Sequence, residues 1–183
     1  MKIPFHYPAV LLALLVPSSV PPAAIGSGPT ADPSEVAAVI QKFKEKDPGL
    51  AKVFADAHGY AVFPTVGKGG IGLGAARGKG YVYQRGRLIG RSTLTQVSIG
   101  LQLGGQAYSE VVFFKDGAAL DNFKRGRLKL DAQASAVALT ARASADLAYR
   151  HGVAIVTMSK GGLMYEASVG GQKFSYKAIG ETS

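Results

Sequence analysis

The chain contains no cysteine and no tryptophan. The first absence excludes a disulfide framework, a thiolate nucleophile, a cysteine-based zinc site and lipid attachment at a cysteine. The second removes one common anchor of the membrane interface, although eight Tyr and eight Phe remain. Histidine is scarce: beyond residue 26 only His58 and His151 occur, and both suit a helix or loop end better than a hydrolytic triad. Glu110, Asp116, Asp121 and Asp131 are scattered, with no paired-carboxylate pattern and no metal-ligand spacing. No catalytic residue, no metal and no cofactor is therefore expected. Acids are missing altogether from Ala57 to Ser109, an interval of 53 residues.

What is present sets the class. A chain of 183 residues with 47% hydrophobic and 18% charged residues can bury one real core, so a single domain is expected. A net charge of +9 favours partners that carry phosphate. The acid-free interval holds Lys68, Arg77, Lys79, Arg85, Arg87 and Arg91, a local +6. These six, with Lys42 and Lys46 of the first helix, are the candidate lipid-binding residues. Near an anionic membrane each contributes about 1 kcal/mol, weakened by salt. The same residues can equally guard strand edges against aggregation. Tyr81, Tyr83 and Tyr108 either meet an interface or fill the core.

In chain order, the apolar run Ala9 to Val16 is too short to cross about 30 Å of hydrocarbon, and with the small residues after it reads as a signal peptide over 1–26. Export to the periplasm or beyond is expected, with possible peripheral attachment to a membrane. Residues 27–31 read as a linker and 32–180 as the domain. Asp32-Pro33-Ser34-Glu35 starts a helix with a cap and a capping-box acid. Val36, Ile40 and Phe43 lie on its apolar face, which either packs on a sheet or docks on a membrane. Asp47-Pro48-Gly49 ends it. A second helix runs from Leu50 to His58, with Leu50, Val53, Phe54 and Ala57 inward and Gly59 as its stop.

From Tyr60 the period changes to two. Strands are predicted over Tyr60–Thr65, the Gly67–Gly74 region, Gly80–Gln84 and Leu88–Leu94 around the turn Arg85-Gly86-Arg87, then Gln96–Gly104. The unbroken apolar run Val111–Phe114 predicts a strand covered on both faces. A short helix follows, capped by Asp116 and stopped at Gly126, with Leu120 and Phe123 inward. Further strands are predicted over Leu128–Ala138, Val153–Met158, Leu163–Val169 and Phe174–Ile179. The order predicts an α+β, sheet-dominant fold: a strongly twisted or barrel-like antiparallel sheet with two N-terminal helices and one inserted helix. A membrane barrel is the alternative.

Half of the fourteen residues from Gly67 to Gly80 are glycine, and Gly67-Lys68-Gly69-Gly70-Ile71-Gly72 satisfies G-x-G-x-x-G. A dinucleotide site also needs a helix after the loop and an acid about 20 residues on. Gly74, Gly78 and Gly80 break any such helix, and the acid is missing. The glycines are expected instead to let strands pack closely.

The blocks GYAVFPTVGKGGIGLGAARGKGYVY and STLTQVSIGLQLGGQAYSEVVFF, with NFKRGRLKLDAQASAVA and MSKGGLMYEASVGGQKF, resemble the SYLF domain family over about residues 33 to 177. Where that family usually carries Gly-Pro-x-Gly-Arg, this chain has Ala138-Leu139-Thr140-Ala141-Arg142. The resemblance implies a compact α+β domain, no enzymatic activity, binding of phosphoinositide or other anionic lipid, and actin binding in some fungal members. For an exported chain, actin and nucleic acid are not expected partners. Anionic membrane lipids are, with an envelope protein as the alternative.

Overall fold

The computed structural model describes residues 32–71, 73–99, 106–128, 147, 149–159, 162–166 and 171–180. Asp32 starts the chain's first helix as its chemistry predicts. Its carboxylate accepts the Ser34 amide at 2.9 Å and Pro33 occupies the first turn of α1 (Pro33–Lys46). Glu35 does not reach back to close a capping box; its carboxylate accepts the Thr65 hydroxyl at 3.4 Å. Asp47 ends α1 by accepting the Gly49 amide at 2.8 Å, and α2 (Leu50–Asp56) follows directly. Gly59, expected as the stop of α2, is instead the first residue of a strand; α2 closes two residues earlier, with the Ala57 amide on the Val53 carbonyl.

Among the described residues the strands form one seven-stranded antiparallel sheet: β1 (Gly59–Ile71), β2 (Leu73–Gln84), β3 (Arg87–Ile99), β4 (Gln106–Phe114), β5 (Val153–Ser159), β6 (Gly162–Glu166) and β7 (Gln172–Ala178), in the order β6-β5-β4-β1-β2-β3-β7. After β4 comes α3 (Gly117–Lys124), where Asp116 accepts the Ala119 amide at 2.9 Å, Leu120 and Phe123 are buried and Gly126 (φ 64°) ends the turn, as predicted. The fold is thus α+β and sheet-dominant, a twisted open sheet. The run Val111–Phe114 is buried on both faces, as its lack of alternation required. The expected signal segment and linker, Leu101, Leu103 and the stretch from Leu130 to Arg142 lie outside the described residues.

The alternation of strands sorts the core into two layers. On the first face Tyr60, Val62, Tyr81, Val111, Phe113 and Val156 meet α1 and α2; on the second Phe63, Val66, Val82, Val112, Phe114 and Ile155 meet α3. This corrects one expectation. Val36 and Phe43 have no exposed surface and Ile40 is half-buried against the same core, so the apolar stripe of α1 is occupied by the sheet and is not presented to a membrane. The tyrosines are also core. Tyr60 and Tyr83 stack with ring centroids 5.0 Å apart, Tyr81 is buried, and the Tyr108 hydroxyl donates to Gln96 at 3.4 Å.

Burial raises the pKa of Tyr60, Tyr83 and Tyr149; the neighbouring Tyr60 and Tyr81 add to the rise at Tyr83, and Asp56 adds to it at Tyr149. A phenol that holds its proton more firmly when folded contributes stability that is complete below its unfolded pKa of about 10 and is lost as pH rises through the higher folded value. A phenolate-absorbance titration is expected to show these groups ionising late, with the urea midpoint falling over the same alkaline range. Ionisation of every tyrosine at the ordinary value would contradict their placement in the core.

The sheet is strongly curled. Four strand spacings separate β4 from β7, about 19 Å if flat. Yet Gln172 of β7 donates to Glu110 of β4 at 2.8 Å, both side chains being buried, and the rings of Phe63 and Phe174 lie 5.7 Å apart. The second face is therefore concave, which also turns the opposite face of β2, β3 and β7 outward. Replacing Gln172 by Ala takes a donor from a buried carboxyl group and is expected to cost about 2 kcal/mol, read as a lowered urea midpoint. No change would mean that the pair does not hold the curl.

Candidate functional site

The glycine-rich loop is built into a hairpin. Gly70 pairs with Gly74 and Ile71 with Leu73, so a strand and not a helix follows G-x-G-x-x-G, and no helix amino terminus faces it. Its glycines divide by face. A Cβ on Gly80 would lie 2.2 Å from the Val62 carbonyl oxygen and 2.7 Å from the Phe63 ring, beside the register shift between Val62 and Thr65. On Gly67 or Gly69, by contrast, a Cβ would meet nothing within 4 Å. The expectation of close packing thus holds for Gly80 and fails for Gly67 and Gly69, which border open surface.

That open surface continues across β2, β3 and β7. Register sets three cross-strand rows on the first face: Tyr81–Arg91–Lys177, Lys79–Thr93–Ser175 and Arg77–Thr95–Lys173. Arg77, Arg91, Thr95, Lys173, Ser175 and Lys177 are exposed, and Lys79 and Thr93 are half-buried. Among the described residues α1 packs mainly on β1, β2 and β6, while Arg77, Arg91, Thr95, Lys173, Ser175 and Lys177 keep exposed side chains. None of β1, β2, β3 and β7 contains an acid. Glu35, bonded to Thr65, brings one carboxylate to the edge of the surface, since Thr65 pairs with Lys79. The Arg91 guanidinium lies 5.8 Å from the centroid of the buried Tyr81 ring, which fixes its base on the sheet.

Of the eight basic residues singled out in the sequence, the fold brings Arg77, Lys79 and Arg91 together. Lys68 falls elsewhere: Gly67 pairs with Arg77, so Lys68, paired with Ala76, belongs to the second face. Arg85 and Gly86 (φ 48° and 75°) form the two-residue turn of the β2–β3 hairpin. They stand with Arg87 at its end, about 13 Å along the strand from Arg91. Lys42 and Lys46 are exposed on α1, outside the three rows. Lys173 and Lys177 were not anticipated. The alternation Lys173-x-Ser175-x-Lys177 around buried Phe174 was readable, but the pairing of β7 with β3 joins residues more than 70 positions apart. His58 bonds the Gln84 side chain at 3.0 Å and so ties α2's end to the hairpin, a positional role.

Chemically, the surface offers cationic side chains and hydroxyl donors. Among the described residues no three His, Asp or Glu side chains gather as metal ligands, and no helix is long and apolar enough to cross a membrane. Comparison with known proteins adds two matches. Residues 95–178 match the Ysc84 family, described as Las17-binding protein actin regulator, so that the matched span includes the whole of β7. The chain is also similar to Beta cell expansion factor A of Aeromonas veronii, with 29% identity over 150 residues, covering 80% of this chain and 56% of that protein. The match therefore spans little more than half of that relative's length. Both bear out the SYLF resemblance.

Proposed function

From the SYLF (Ysc84) match as premise, we propose that this chain is an exported, non-enzymatic domain that binds anionic phospholipid head groups. The family points to a lipid- or actin-related binding domain. The observation that carries the lipid reading is the outward face of β2, β3 and β7, where Arg77, Lys79, Arg91, Lys173 and Lys177 stand on strands without one acid. Five cations on a convex, rigid surface attract a plane of head groups with about 1 kcal/mol each, and Gly67 and Gly69 leave the neighbouring backbone open to close approach. The apolar run Ala9 to Val16 supports export, and an exported chain has little occasion to meet actin. Flotation with neutral and with anionic vesicles tests this reading. Binding only to the anionic vesicles, weakened by salt, is expected; absence of binding at low salt, with capture of a specific envelope protein, would favour the interaction module instead.

A further inference from the structure

We propose that the groove between β2, β3 and β7 is a discrete site for a phosphate monoester, an inference that rests on the lipid-surface reading and narrows it. The groove has a volume of about 510 Å³ and is lined by Lys79, Arg91 and Lys177 around Thr93 and Ser175, with Tyr81 beneath. Thr93 lies directly between Lys79 and Ser175, and Arg91 directly between Tyr81 and Lys177. Diagonal neighbours on one face of a sheet are about 7 Å apart, so a single tetrahedral anion above Thr93 is within reach of all three long cationic side chains and both hydroxyls.

Two features separate this from a smear of charge. Lys79 and Arg91 are diagonal neighbours on one face of adjacent strands, so that a single anion above Thr93 bridges two like charges. Hydroxyls, rather than further lysines, fill the middle of the next row, and they donate to an oxygen without adding charge. Among the described residues Lys79 and Arg91 form no ion pair. Three cations match a monoester, which carries about −1.5 to −2 at pH 7 and has three terminal oxygens. A diester has one charge and two such oxygens. The chemistry is shared by a monoester head group, as in phosphatidic acid, and by a free phosphate ester.

The test compares the full chain on phosphatidylcholine vesicles containing either phosphatidic acid or phosphatidylglycerol, matched in zeta potential, with glycerol 3-phosphate as soluble competitor. Preference for the monoester vesicles by about tenfold is expected, with competition by glycerol 3-phosphate. The double variant Thr93→Val with Ser175→Ala keeps every charge and the β-branched shape, and Ser175→Ala alone is the milder version. Both are expected to lower binding of the monoester vesicles toward the diester level while leaving diester binding unchanged. Saturable binding of glycerol 3-phosphate without binding to either vesicle would uphold the site and assign it to a free ester, against the lipid reading. Equal binding to both vesicles, indifferent to the hydroxyl variants but abolished by charge reversal, would overturn the site and leave the lipid reading standing.

Discussion

Reversing Arg77, Lys79 and Arg91 to Glu in one chain is expected to abolish binding to anionic vesicles. All three lie on one outward face, on adjacent strands in register. The triple reversal removes three positive charges and adds three negative ones, taking the formal charge from +9 to +3. At about 1 kcal/mol per charge near the surface the loss approaches 6 kcal/mol at low salt, about four orders of magnitude in the partition coefficient. Lys68→Glu is the internal control. It changes the charge by two, but on the opposite face, beside Ala76. Cosedimentation at low ionic strength measures both, with circular dichroism to verify folding. Equal losses in the triple variant and in a charge-matched set reversed on α1 would show that net charge alone matters and that the face does not.

The second large effect concerns the fold. Gly80→Val is expected to destabilise the domain by about 3 kcal/mol or more, because overpacking against fixed backbone is relieved only by moving a strand. The Val62 carbonyl oxygen sits 2.2 Å from where a Cβ would be, and the Phe63 ring blocks the other side. With a urea m-value of about 1–3 kcal/mol/M, the midpoint falls by about 1 M or more. Gly67→Ala is the contrast: its Cβ meets nothing, and the gain in backbone entropy makes it neutral or stabilising by up to about 1 kcal/mol. If the two substitutions have equal effects, the division of the glycines into packed and open positions is wrong.

The legible parts of this chain were the local ones. Asp32 and Asp116 announce helices because a cap needs only residues two or three positions away. The run Val111–Phe114 announces a strand buried on both faces because it has no polar alternate. The paired turn at Arg85-Gly86 is equally local: a two-residue hairpin loop needs positive φ at both positions, which Gly86 adopts freely and Arg85 at some steric cost. What stayed hidden depends on strand order. Lys173 and Lys177 join the basic face only because β7 docks on β3, and Lys68 leaves it because of one step of register. The amphipathic stripe of α1 looks the same whether its partner is a sheet or a bilayer; only the packing of Val36 and Phe43 decides for the sheet. Gly67 and Gly80 likewise read alike in sequence and face opposite environments.

The absence of cysteine makes the central claim open to direct measurement, since a single introduced cysteine carries the only label. A nitroxide at Thr95 on the basic face, and in a second variant at Gln41 on α1, can be followed on anionic vesicles that hold a relaxation agent in the aqueous phase. The expected result is that vesicle binding protects the Thr95 label from the agent and leaves the Gln41 label fully accessible. Protection at Gln41 with free access at Thr95 would contradict it, and would move the binding surface from the outer strands to α1.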